Sequence, residues 1–204
     1  MKCYTWGKSE TVHNWAIRGV DGEPDLVKIA EVKSQLPPSG PVFVDCEKWD
    51  HRQSGRTPDA INATIAAFGM PPRLGVYGVP VTECWMGIEQ SLAANDVPQQ
   101  TLESRLARWR AWTDAVDVAK LGVWCPDLYP RTANPRSWLR GADIMADECA
   151  RRYAHTKPIV PFVSYHMSGK GELLELSYWR VIVRWLANNV SFIVIYEPPN
   201  TPAV

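Results

Sequence analysis

From residue 40 onward, short runs of continuous apolar residues alternate with longer stretches whose apolar positions recur at helical spacing. Pro41-Val42-Phe43-Val44-Asp45 is apolar and β-branched between Gly40 and a charged segment, which predicts a buried strand. Thr57-Pro58-Asp59 predicts a helix start, with Thr57 as the cap and Pro58 in the first helical position. Ile61, Ile65 and Phe68 give that helix one apolar face, and Gly69 with Pro71-Pro72 ends it. Residues 74–79 predict a second strand, and 101–116 a helix with Leu102, Leu106 and Trp109 on one face. The cycle repeats with a strand over 119–124 and a helix over 137–153, whose inner stripe is Ala142, Met145, Cys149 and Tyr153. A strand over 159–165, a helix over 172–187 and a strand over 191–196 complete the pattern. Residues 2–6 predict a further strand and 26–36 a further helix.

Strands alternating with helices imply βαβ units and a parallel sheet. Continuous rather than alternating apolar strands imply that the sheet is covered on both faces. No composition break divides the chain, so residues 1–204 read as one domain. No G-x-G-x-x-G or G-x-x-x-x-G-K-[ST] follows a strand, which argues against an open nucleotide-binding sheet. Polar or aromatic residues instead close the predicted strands: Asp45 and Glu47, Tyr77, Trp124 and Tyr129, Tyr165 and His166, Tyr196 and Glu197. In barrels the active site is built on that face. The predicted fold is therefore α/β, a (β/α) TIM-like barrel with parallel strands. It is shortened, irregular or open, because 204 residues fall below the roughly 250 of a standard barrel.

Charge narrows the partners. Lysine plus arginine and aspartate plus glutamate each number 22, so no basic surplus marks a nucleic-acid or anionic-membrane partner. Apolar runs such as 192–196 are far shorter than the roughly 18 residues of a membrane span. Ten tryptophans are many for this length; most serve as core, and others suit the flat apolar faces of sugar rings. Five cysteines without a C-x-x-C pair and four dispersed histidines supply no metal-ligand spacing, and no cofactor motif is present. Residues 1–6 contain no apolar core of a secretion signal, which with the odd cysteine count predicts reduced thiols and a cytoplasmic location. Composition specifies no oligomeric state.

The segment with the most chemistry is Val44-Asp45-Cys46-Glu47-Lys48-Trp49. Residues two apart on a strand project to the same side, so Asp45 and Glu47 should share the barrel mouth while Cys46 faces the helices. Two close carboxylates raise each other's proton affinity, which lets one act as a general acid while the other stays ionised.

These residues resemble the hyaluronidases of the bee-venom and mammalian type, glycoside hydrolase family 56, whose hallmark strand reads I-D-W-E-E-W. Here D-x-E-x-W is kept across residues 45–49. Leu74-Gly75-Val76-Tyr77-Gly78-Val79-Pro80 is similar to the family's W-G-x-Y-x-F-P strand, and Cys125-Pro126-Asp127-Leu128-Tyr129 to its Y-P-S-I-Y. Pro161-Phe162-Val163-Ser164-Tyr165 resembles P-V-F-V-Y, and Phe192-Ile193-Val194-Ile195-Tyr196 resembles G-V-V-I-W. The resemblance runs in order over residues 24–198. It implies substrate-assisted, retaining hydrolysis at an N-acetylhexosamine. Glu47 would then be the general acid, Asp45 would orient the acetamido group, and Tyr129 would donate a hydrogen bond to its oxygen. Tyr196 would form the wall the family builds from tryptophan, Tyr77 and Trp124 would stack on sugar, and Tyr165 would complete the substrate-binding set. The implied partner is a polysaccharide or other glycan.

Several departures are explicit. Cys46 and Tyr196 stand where the family has tryptophan, Lys48 replaces its second acid, and its disulfide cysteines are missing. These point to a compact relative, microbial or phage-encoded. A polyanionic glycan would also need a local cluster of arginines such as Arg52, Arg56, Arg131 and Arg136. Two other readings stay open: a non-catalytic carbohydrate-binding or phage structural protein on the same fold, and a lysozyme-like muramidase, whose barrel also carries D-x-E at a strand end. The thiol expectation is directly measurable. Titration under denaturing, non-reducing conditions should find all five cysteines reactive, and a smaller number would reveal a disulfide.

Overall fold

The computed structural model describes residues 2–5, 11–46, 49, 57–70, 72–78, 99–153, 157–167 and 172–196. The strands in these segments are β1 (Lys2–Thr5), β2 (Thr11–Val12), β3 (Val42–Asp45), β4 (Leu74–Tyr77), β5 (Phe162–Val163) and β6 (Phe192–Ile195). The helices are α1 (Asn14–Ile17), α2 (Leu26–Gln35), α3 (Thr57–Phe68), α4 (Gln99–Ala115), α5 (Pro135–Tyr153) and α6 (Leu176–Asn189). Asp25 caps α2, its carboxylate accepting from the Val27 and Lys28 backbone N–H groups at 3.0 and 3.2 Å. The expected helices match α2 to α6 closely, whereas β2 and the single turn of α1 have no counterpart in the hydrophobic pattern. The side chains of Thr57, Trp109 and Tyr153, together with Pro71, His51, Cys84 and His155, lie outside what is described. Among the described residues no helix is long and apolar enough to cross a membrane.

All strand pairs are parallel, in two three-stranded sheets ordered β1-β6-β5 and β2-β3-β4. The strand expected over 119–124 is replaced by a 3-10 turn, Val118–Lys120, and an irregular extended segment. That segment still joins the two sheets. The Gly122 N–H donates to the Leu74 carbonyl at 2.8 Å, and single parallel bridges link Tyr77 with Cys125, Trp124 with Ile159, and Asp127 with Phe162. Pro126 has no N–H to give to a ladder, which helps explain why pairing here stays piecemeal. The parallel α/β arrangement is as expected, and closure into a barrel is not seen among the described residues. No ladder joins β1 to β2 among the described residues, and the parallel series stays open there.

Alternation along the strands separates two faces. Val42, Val44, Cys46, Leu74 and Val76 pack in one cluster with Ile29 of α2 and Ile61, Ile65 and Phe68 of α3. Phe43, Tyr77, Phe162 and Val194 pack on the other face with Tyr4, Val123, Cys125 and Val160. There Phe43 meets Tyr4 edge-on at 5.4 Å and Phe162 at 5.8 Å. Gly75 lies on this crowded side, where an added Cβ would stand against Cys125 Sγ and 2.5 Å from Val123 Cγ2. A third cluster holds α5 and α6 against β5 and β6, centred on Trp138 and Trp185, whose rings meet at 5.7 Å. Their indole N–H groups donate to the Leu128 carbonyl (2.9 Å) and to Asp143 Oδ1 (2.7 Å). Trp49 of the D-x-E-x-W stretch is likewise buried, donating to the Gly22 carbonyl at 2.8 Å.

Glu148 of α5 ties α4 to α5. Its carboxylate accepts from both Nε and Nη2 of Arg110, and from Nε (3.2 Å) and Nη2 (2.8 Å) of Arg151. Burial pushes the Glu148 carboxyl up, but the two guanidinium groups outweigh it and hold the group below the ordinary glutamate range. A depressed carboxyl contributes stability above its unfolded-state pKa, about 4.3, and loses it as pH falls through the folded value. Glu148→Gln is expected to cost roughly 1–3 kcal/mol in urea unfolding at pH 7, with the difference shrinking toward zero below about pH 4. Gly75→Ala is expected to cost about 1–3 kcal/mol at every pH, because its defect is steric.

Candidate active site

The alternation of β3 places Asp45 at its carboxyl end on the side of Phe43, away from Val44 and Cys46, which face the helices. Asp45 is half-buried, and its charge adds to burial in driving the neighbouring Cys46 thiol far up, so that thiol is inert. In the parallel register Asp45 stands beside Tyr77, the last residue of β4. Adjacent strands run about 4.8 Å apart, so the two side chains are immediate neighbours. Glu47, the proposed acid, and Glu197 lie outside the described residues.

Tyr77 extends the group to the next segment. It is 8% exposed, its ring packs edge-on to Phe162 at 4.7 Å, and its hydroxyl donates to Asp127 Oδ2 at 3.2 Å. Tyr129 follows on the same loop, its ring 6.0 Å from that of Tyr77 and 5.5 Å from that of Tyr196, which follows β6. The loop is held at several points. Leu128 is fully buried, its N–H donates to the Phe162 carbonyl at 2.9 Å, and its carbonyl takes the Trp138 indole proton. Pro126 and Pro130 flank it. Asp45, Tyr77, Tyr129 and Tyr196 thus come together at the carboxyl ends of three strands and one loop.

Asp127 belongs to the same constellation and was not among the expected site residues, and with it comes Arg131, expected only as one of four arginines that could cluster for a polyanion. The Asp127 side chain is 0% exposed and the Arg131 side chain 11% exposed, and the two form an ion pair through Asp127 Oδ2 and Arg131 Nη2. Asp127 Oδ1 also accepts the Tyr129 backbone N–H at 2.9 Å. Burial pushes the Asp127 carboxyl above the ordinary aspartate range; Arg131, the Tyr129 N–H and the Tyr77 hydroxyl pull it back only in part. The available signal in the sequence was a lone acid inside the apolar stretch 125–130 with a cation four residues on.

Two expected sugar-binding residues are placed elsewhere. Trp124 is 2% exposed and packs with the helix-facing cluster, so it has no open face for a sugar ring. Tyr165 sets its ring against Trp179 of α6 (6.4 Å) and His166 (4.4 Å). Phe162 faces the interior and Val163 the α5–α6 cluster, and Tyr165, two residues beyond the end of β5, falls on the side of Val163. Arg52 and Arg56 lie outside the described residues, and Arg136 is exposed at the start of α5. No group of three or more His, Cys, Asp or Glu side chains suited to a metal ion occurs among the described residues.

The sequence matches no family model and no curated protein. Solved structures are similar in fold. The crystal structure of bee venom hyaluronidase in complex with a hyaluronic acid tetramer superposes with a TM-score of 0.60 at 15% identity, over 95% of this chain and 81% of that one. A monoclinic crystal structure of bee venom hyaluronidase gives a TM-score of 0.58 at 15% identity, over 92% and 78%. The chain therefore has a hyaluronidase-like α/β fold.

Proposed function

We propose that this chain is one domain, a shortened (β/α) barrel, that hydrolyses an N-acetylhexosamine-containing glycan by substrate-assisted, retaining catalysis. The observation that carries the reading is the convergence of Asp45, Tyr77, Tyr129 and Tyr196 at the strands' carboxyl ends. Support comes from the fold shared with an enzyme whose structure holds a hyaluronic acid tetramer. Glu47, two residues beyond Asp45 in the D-x-E-x-W stretch, donates a proton to the glycosidic oxygen as the bond to the anomeric carbon breaks. The acetamido carbonyl oxygen of the same sugar attacks that carbon from the opposite face. Asp45 holds the acetamido N–H and balances the positive charge that develops, while the Tyr129 hydroxyl donates to the acetamido oxygen. Glu47, now ionised, takes a proton from water, which opens the cyclic intermediate with net retention. Tyr196 supplies a flat wall for the ring.

The experiment is turnover of aminosugar polymers by reducing-end release. Glu47→Gln is expected to lower kcat/KM by about 10²–10⁴-fold with KM little changed, because the shape is kept and the proton is lost. Asp45→Asn should cost a comparable factor. A nitrophenyl glycoside, whose leaving group needs no protonation, should rescue Glu47→Gln far better than Asp45→Asn. Equal rescue of both variants would remove the assigned roles. Glycan binding without turnover by the wild type would favour a non-catalytic carbohydrate-binding protein on this fold.

A further inference from the structure

Nothing in the resemblance assigns a role to Asp127, where the family's Y-P-S-I-Y stretch has serine, or to Arg131. The geometry points to the Asp127–Arg131 pair as the positioning device of the tyrosine wall: the buried carboxylate fixes the Tyr129 backbone and the Tyr77 hydroxyl, and Arg131 neutralises it while covering the Tyr129 ring. The inference rests on reading the tyrosine group as the glycan site.

The carboxylate has donors on both oxygens. Oδ1 takes the Tyr129 N–H at 2.9 Å, a turn closed two residues on that fixes the backbone from which the Tyr129 side chain leaves. Oδ2 takes the Tyr77 hydroxyl at 3.2 Å and the Arg131 guanidinium. The guanidinium carbon in turn lies 6.0 Å from the centre of the Tyr129 ring. One carboxylate therefore references two rings, one at the end of β4 and one on the loop that carries Asp127, to each other, and Tyr196 rests on the second of them at 5.5 Å.

Energetics argue against mere stabilisation. Taking both charges out of water costs several kcal/mol per ion, and apolar residues of equal volume usually hold such a position as well or better. What apolar residues cannot do is hold a backbone N–H, a phenol and a guanidinium at fixed distances from one another. A hydrogen-bonded pair set beneath groups that must meet a ligand within a fraction of an ångström is the arrangement preorganisation requires.

The test reads ring order in the ligand-free protein by NMR of 13C-labelled tyrosines, where the wild type should show NOEs from Tyr129 to both Tyr77 and Tyr196. Asp127→Leu/Arg131→Met removes both charges together and so keeps the fold even where either single change does not. Its expected spectrum has Tyr129 averaged and both NOEs lost, with Tm close to wild type. Arg131→Lys keeps the counter-charge but not the planar fork, and it should weaken the Tyr129–Tyr196 NOE while leaving Tyr77 in place. Wild-type NOEs in the double variant, or a wild-type spectrum for Arg131→Lys, overturn the proposal. Kinetics add a second readout. Where the wild type cleaves N-acetylhexosamine oligomers, the double variant should lose kcat by about 10²-fold with KM nearly constant, the signature of a misplaced group; a change confined to KM overturns it. A wild type without turnover removes the hydrolase reading alone, and the NOEs still decide the positioning role.

Discussion

A parallel strand buried on both faces has no solvent-facing side on which to carry polar residues, so polar groups are confined to its ends. That constraint organises this protein. Along β3, Val42 and Val44 go to the helices and Phe43 to the opposite cluster, and the first residue released from packing is Asp45. Tyr77 ends β4 and Tyr196 follows β6 in the same way. Because all pairs between the named strands are parallel, these ends lie on one side of the molecule. The site is a consequence of the core rather than an addition to it.

The core also sets how tightly the strands approach. Gly75 sits where Phe43, Val123 and Cys125 converge, and there is no volume for even a methyl group. The irregular segment after the Val118–Lys120 turn can therefore lie against β4 and donate to the Leu74 carbonyl. This close contact carries Asp127, Leu128 and Tyr129 from a segment of weak pairing into a defined position. Trp138 finishes the work from the helix layer by binding the Leu128 carbonyl. Several of the tryptophans act in this manner, as large apolar bodies with one directed N–H, which is why they are buried at Trp49, Trp138 and Trp185 rather than displayed.

Electrostatics divide into two regimes. Glu148 lies between two arginines that stay partly in water, and the balance favours its ionised form. Asp127 is sealed from water with one arginine, and desolvation wins despite three donors. The first group, Glu148 with Arg110 and Arg151, joins α4 to α5. The second lies under the tyrosines and leaves the local charge near neutral, so the described part of the site presents no basic groove to a polyanion.

The alternation of strands and helices, five of the helices, and the ends of β3, β4 and β6 were legible in the sequence, because hydrophobic periodicity reports which face each residue buries. Asp45, Tyr77, Tyr129 and Tyr196 were legible as a group for the same reason: they follow apolar runs. β2 and α1 were not, since two strand residues and one helical turn are too short to show a period. The stretch before Trp124 read as a strand because its composition is apolar, yet Gly122 and Pro126 leave it bridged at single points only. Trp124 and Tyr165 carry the right side chains for sugar contact, but the sequence does not reveal which face a residue takes at an irregular strand or beyond a strand's end. Only the tertiary structure decided that, by turning one into the core and the other onto Trp179. It alone also joined Asp127 to Tyr77, fifty residues apart, because a hydrogen bond to a buried carboxylate depends on what folds around it and leaves no periodic trace in the chain.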